Sequence, residues 1–475
     1  MNKNNKNQKD LEITKKDTIF YSFAGIADTM SYQMFSFYIF NYYLSVKGLP
    51  LFWVVLGFII WTIWNALNDP LLGSISDRTS SKWGRRKPFI IAGWIPLIAL
   101  VILVWTVFGS ELVVFIYFII IINVFDTFYT MYSLNQTALF PEMFQDLEKR
   151  AKANNYVQVF NIIGLLLAAL IPTLFVPDQI APGSEPGYIL GAIIMAILAF
   201  IFGLIFIKFG IKERVEFSKD PKQAPSFFKA VKFSFKNKPF RTYVFTNLSI
   251  WYVFGLVPIM NPYFMKFIIG ITGFLPSVFL ALLFISAIAF MTVWSKIFAK
   301  FGPKKGELMA MGALIITMIP FLFISNIIGA ILTYIAAGFG FAGIMFGRDI
   351  MMSTIIDTDE IETGIRREAA YYGVNALIIR LSTIGVYLSI FFVFGVEFGG
   401  LKAIFDPTVV TSLSEGGIRT LMYILPSIGL LIGMILLWVL FPVTKEKYEI
   451  MRKDLERIHE DKKQKVDINK YEDIF

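Results

Sequence analysis

Cysteine is absent from the 475 residues, and histidine occurs once, at His459 in the charged tail. The first absence excludes disulfides, thiolate nucleophiles and cysteine metal sites. The second leaves no imidazole in any apolar stretch, so chemistry there falls to carboxylates, amides, hydroxyls, aromatic rings and arginine. His459 itself reads as a solvated tail residue. Charge is scarce as well: Asp, Glu, Lys and Arg make up 17% of the chain against 56% hydrophobic residues, with 49 phenylalanines. Too little polar surface remains to cover a soluble globule of this length. The chain reads as an integral membrane protein.

A spanning helix needs ~20 apolar residues. Apolar runs separated by polar loops lie near 19–46, 50–76, 88–109, 111–140, 150–177, 187–211, 240–269, 273–299, 306–326, 328–357, 367–397 and 417–443. The expected fold is therefore all-α, with twelve transmembrane helices in two pseudo-symmetric six-helix bundles. The expected divisions are an N-terminal segment at 1–18, a first bundle at 19–211, a basic linker at 212–239, a second bundle at 240–443 and a charged tail at 444–475. The linker is rich in Lys, Pro and Ser and has no run long enough to span. WGRRK at 83–87, after span 2, is echoed by FGPKK at 301–305, after span 8.

Lysines and arginines crowd the loops that follow the even-numbered spans, whereas the opposite loops carry Lys47, Lys402 and Arg419. Basic residues near helix ends are retained on the cytoplasmic side, which places both termini in the cytoplasm and the chain in the cell membrane. The net charge of +9 follows from that bias and from attraction to the membrane surface, so it gives no argument for a nucleic-acid partner. The polar start, Met1 to Asp17, lacks the apolar core of a cleaved signal peptide, and residue 1 is expected to be the mature N-terminus. The expected partners are the bilayer and a small solute, with the chain a monomer.

Ionisable residues inside apolar runs are costly and mark functional sites by default. Asp28 lies about a third of the way into span 1 and shares a face with Tyr32 and Phe35. In span 2, Asn65 and Asp69 are one turn apart, with Trp61 a turn before them and Pro70 freeing a carbonyl beside the acid. Carboxylate, amide and carbonyl oxygens form a ligand set for a hard cation, or a proton carrier if the acid is desolvated. Asn123, Asp126, Thr130, Ser133 and Thr137 recur at helical spacing in span 4, as the wall of a polar path or as a seam between helices.

In span 7, Trp251 and Tyr252 precede Pro258 and Pro262, whose spacing predicts a broken helix. Arg348 and Asp349 read as structural or gating charges, as do Arg85, Asp357, Glu360 and Arg366 at the cytoplasmic ends. Arg380 lies deep in span 11, where a guanidinium needs an acid or an anionic or hydroxyl-rich ligand. In the tail, Tyr448, Met451, Leu455 and Ile458 share one face, expected to pack under the bundle.

NDPLLGSISDRTSSKWGRRKPF after span 2 and DTDEIETGIRREAAYYGVNALIIR at 357–380 resemble the glycoside, pentoside and hexuronide cation symporters, the melibiose permease branch of the major facilitator superfamily. The resemblance covers essentially all twelve spans. It implies the two-bundle facilitator fold, alternating access, and uptake of a sugar-like solute coupled to sodium or protons. It carries a sugar-binding acid onto Asp28, a cation-site acid onto Asp69, a sugar-stacking aromatic onto Tyr132 and the basic residue of span 11 onto Arg380. The chain departs from the pattern in four places. Asn65 replaces the first of two acids in span 2. The family's span 4 acid falls on Phe128, about 200° around the helix from Asp126. Span 5 lacks a deep arginine, and position 380 is Arg rather than Lys.

The resulting expectation is a secondary transporter for a sugar or glycoside. Asp28, Tyr32, Asp126, Tyr132, Trp251 and Arg380 are expected at the solute, and Asn65, Asp69 and Asp126 at the coupling ion, with no cofactor and no bound metal beyond a transported sodium at Asp69. Sodium, proton and uncoupled transport stay open, as does a carrier of lysolipids or other anionic amphiphiles. An enzyme reading lacks a nucleophile with an adjacent base, and a sensor reading lacks a soluble output domain.

Overall fold

The computed structural model describes residues 13–79, 81, 83–144, 147–212, 232–363, 368–397, 412–451, 453–455 and 457. Arg366, His459, Lys82, Lys402, most of the linker and the outer part of the tail lie outside the described residues.

The described elements are helices: α1 Lys15–Asn41, α2 Leu51–Arg78, α3 Lys87–Leu103, α4 Glu111–Met143, α5 Leu147–Leu170, α6 Glu185–Ile205, α7 Lys238–Phe264, α8 Leu275–Met318, α9 Ile327–Thr363, α10 Glu368–Phe392, α11 Ser412–Arg419 and α12 Leu425–Leu440. α11 runs into α12 through a wider π-helical turn at Thr420–Ile424. Among the described residues, nine stretches are long and apolar enough to cross a membrane, against the twelve expected. The difference has local causes. α1 carries Asp17, Asp28 and several hydroxyl side chains, which lower its hydropathy. α3 is a shorter apolar helix of 17 residues. α8 runs through both expected spans 8 and 9 and counts once, although its backbone leaves helical geometry at Gly302, with φ 78° and ψ 173°. A left-handed φ is open to glycine at no steric cost, and Pro303 follows it, so the bend sits where the loop was expected.

The two prolines of α7 do not break it. Pro258 and Pro262 lie inside a continuous helix, toward its C-terminal end. Each removes one backbone donor, and the helix closes just beyond them in a π-helical turn at Met265–Ile269 capped by Gly270. Pro70 is likewise absorbed within α2.

The chain divides into two compact units. Unit 1 runs to Ala224 and includes Ile271–Ala281; unit 2 includes Pro225–Gly270 and Leu282–Ala403. In unit 1, α1 packs on α5 and α6, and α4 packs on α2 and α3. Tyrosine hydroxyls donate to carbonyls between elements: Tyr38 to Ala169 across the α1–α5 seam at 2.5 Å, Tyr21 of α1 to Gln136 of α4 at 2.7 Å, and Tyr43 beyond α1 to Val104 beyond α3 at 3.0 Å. Each satisfies a buried polar group that lipid could not. At the other end of α2, Arg85 and Arg86 share the Glu142 carboxylate at 2.5 and 3.4 Å, and Arg86 also donates to Ser76 and Asn135.

In unit 2, α7 packs against α10 and α12. The start of the tail lies against the bend in α8. Lys304 donates to the Phe441 carbonyl at 2.6 Å, and Lys445 to the Lys300 carbonyl at 3.0 Å. Met451 and Leu455 are buried and Tyr448 is half-buried, consistent with the expected apolar face.

Candidate transport site of unit 1

α4 holds two polar faces apart. One faces α2 and the other faces α1: residues 126 and 130 are one turn apart, while 129 points about 60° from the first and about 100° from the second.

Toward α2 the contacts form a ladder. Asn65 Nδ2 donates to Asp126 Oδ1 at 2.6 Å, and one turn further on Thr130 Oγ1 donates to Asp69 Oδ1 at 3.1 Å. Asn65 and Asp69 are four residues apart on α2, as Asp126 and Thr130 are on α4, so each helix presents adjacent rungs. Asn68 closes the set by donating to both the Asp126 carboxylate and its backbone carbonyl at 3.2 Å. Asp126 is 1% exposed and Asp69 half-buried. Two carboxylates, two amides and a hydroxyl thus meet between two helices. Outside this ladder, Trp64 Nε1 donates to Thr127 at 3.0 Å and ties the same two helices together.

Toward α1 stands Asp28. Tyr129 donates to its Oδ2 at 3.4 Å, and Ser133 faces the same carboxylate. Oδ1 is buried and has no hydrogen-bond partner among the described residues. An aromatic cluster extends from this tyrosine: Tyr129 stacks on Tyr32 at 4.7 Å, Tyr32 lies 6.2 Å from Phe35, Phe35 stacks on Phe125 at 4.6 Å, and Phe35 lies 5.6 Å from Trp61. A buried acceptor with unused lone pairs beside flat apolar faces can bind a molecule that combines hydroxyl donors with C–H surfaces.

The expected site residues are therefore partly brought together. Asn65, Asp69 and Asp126 form one cluster, and Asp28 and Tyr32 lie together on α1. Tyr132 is fully buried, its ring edge-on to Phe206 and its hydroxyl 3.5 Å from the Ala24 carbonyl. The aromatic that bonds Asp28 is Tyr129. In unit 2, the Arg348 guanidinium lies over the Trp251 ring at 5.7 Å and its Nε is 3.5 Å from Asp349. Arg380 is half-buried on α10, Asp357 is half-buried, and Glu360 is buried near the end of α9.

Asn68 and Tyr129 did not stand out in the sequence. Asn68 could have been found from the Asn65-Asn68-Asp69 spacing, which puts all three on one side of α2. Nothing in the spacing of α4 singles out Tyr129 from its neighbours.

The profile of the family described as MFS/sugar transport protein matches residues 20–445. The chain belongs to this family. It is 23% identical over 458 residues to the uncharacterized symporter YjmB of Bacillus subtilis, covering 93% of this chain and 95% of that one. It is 25% identical over 374 residues to the isoprimeverose transporter of Lactiplantibacillus pentosus, covering 73% of each. A crystal structure of the nucleoside transporter NupG superposes with a TM-score of 0.64 at 13% identity, over 90% of this chain and 100% of that one, which shows the fold alone. The chain is thus a multi-pass membrane transporter of the major facilitator superfamily and not an enzyme.

Proposed function

We propose that the protein takes up a sugar or glycoside-like solute together with a cation, sodium or a proton, by alternating access. On this reading twelve spans cross the plasma membrane and both termini are cytoplasmic. The observation that carries it is Asp28, half-buried with its buried Oδ1 left for a donor, beside the Tyr129 ring that stacks on Tyr32.

Asp28 accepts from vicinal hydroxyls, and a charged acceptor makes the strongest such bonds. Tyr32 and Tyr129 offer ring faces to the apolar side of the solute, with Tyr132 supporting α1 from behind. The α2–α4 ladder takes the coupling ion. Asp69 and Asp126 supply charge, while Asn65, Asn68 and Thr130 supply neutral oxygens and fix the carboxylates. Asp126 stands opposite Asn65, so the second acid of the ion site comes from α4 rather than from one turn earlier on α2. Arg380 is the proposed anchor in unit 2 for a polar or anionic group.

The test is thermal stabilisation of purified protein by a panel of mono- and disaccharides, nucleosides and lysophospholipids. A ligand that binds the folded state at about 100 times its Kd stabilises by about 2.7 kcal/mol, a shift of several degrees. Stabilisation by a sugar that is lost in Asp28→Asn supports the reading. Stabilisation by lysophospholipid and by no sugar overturns it in favour of an amphiphile carrier.

A further inference from the structure

Glu307 follows the bend in α8 and is fully buried within unit 2. Neither of its carboxyl oxygens has a hydrogen-bond partner among the described residues. The contrast with unit 1 is plain, since there Asp126 receives two amides and Glu142 two guanidinium groups. Gly347 of α9 lies directly against Oε2, leaving no room for even a methyl group, and the Phe298 ring closes the same spot. The groups of other character that face this region are the Arg348 side chain on α9 and the Tyr243 hydroxyl on α7. Neither serves the carboxyl: Tyr243 donates to the Arg348 carbonyl at 3.2 Å, and the guanidinium is turned toward Asp349 and Trp251.

An ionised carboxylate with no donor in apolar surroundings is far more costly than the neutral acid. We propose that Glu307 is a proton-binding site in unit 2, separate from the α2–α4 ladder, that holds a proton in the arrangement seen here and releases it when α9 shifts along α8. In the release step the carboxyl O–H bond breaks, the proton passes to water, and the charge left on the carboxylate is met by Arg348. Gly347 makes the device sensitive to movement, because the helix backbone rests on the carboxyl with no side chain between them.

The experiment compares wild type with Glu307→Gln, a neutral side chain of the same shape, in full-length protein in liposomes. Infrared spectra at neutral pH are expected to show a protonated-carboxyl C=O band in wild type that is missing from the variant. The melting temperature of wild type is expected to fall relative to the variant as the pH is raised from about 4 toward neutrality, because the unfolded chain gives up the proton there while the buried acid keeps it. Identical carboxyl spectra would overturn the proposal, as would identical pH dependences of melting. So would a variant that is strongly destabilised at neutral pH, because a neutral isostere does no harm at a neutral site.

Discussion

Asp126→Asn is the most informative perturbation of the ladder. The carboxylate accepts from Asn65 at 2.6 Å and from Asn68 at 3.2 Å, one amide on each oxygen. A carboxamide keeps one acceptor and turns a donor toward the other amide, so one buried hydrogen bond is lost, at about 1–3 kcal/mol of stability. The effect on a bound cation is larger. Removing a unit charge at about 4 Å with an effective dielectric of about 20 costs about 4 kcal/mol, about a thousandfold in affinity. The expected result is a modest drop in melting temperature with loss of gradient-driven accumulation, while counterflow of the solute persists. The assay is uptake into proteoliposomes under imposed sodium or pH gradients, beside counterflow without a gradient. Full accumulation by the variant would refute the argument, since the charge it removes is one of the two proposed to hold the ion.

Thr130→Val removes the hydroxyl from Asp69 without changing volume, and should weaken ion dependence about tenfold, read as the ion concentration for half-maximal uptake. Tyr129→Phe removes a long hydrogen bond but keeps the stack on Tyr32, so the KM for solute should change less than about tenfold, whereas Tyr129→Ala should change it more. Glu142→Ala strands Arg85 and Arg86 and should cost about 3–5 kcal/mol, seen as a lower melting temperature. At the entrance to α1, burial alone would raise the Asp17 carboxyl, but Lys212 at 2.8 Å and the Thr14 hydrogen bonds hold it below its ordinary value. A depressed carboxyl stabilises the fold above its unfolded value and loses that contribution as pH falls through the lower folded one. Acid should therefore lower the melting temperature of wild type more than that of Asp17→Asn.

The helices were legible because lipid demands long apolar runs and leaves polar residues conspicuous within them. Spacing also put Asn65 and Asp69 on one face, and Asp126 and Thr130 on another. What spacing could not supply was the rotation of α4 against its neighbours. The five-residue polar stripe of that helix divides in the folded chain: Asp126 and Thr130 go to α2, Ser133 goes to Asp28, and Asn123 bonds the Ile119 carbonyl of its own helix. The prolines of α7 misled for a related reason. A proline near a helix end removes hydrogen bonds that the end was about to lose in any case, so it need not break the helix. Glu307 was overlooked in a run of charged loop residues, and only burial separates it from Lys304 and Lys305 beside it.

The most direct test of the transport account is counterflow of labelled mono- and disaccharides into liposomes preloaded with the same unlabelled sugar, in wild type and Asp28→Asn. It needs no knowledge of the coupling ion. Because Asp28 Oδ1 makes no hydrogen bond among the described residues, the Asn variant should fold and melt like wild type yet carry no sugar. Counterflow of at least one sugar by wild type, abolished in that variant, is the predicted result. Equal counterflow in both proteins, or none for any sugar with folded wild-type protein, would contradict it.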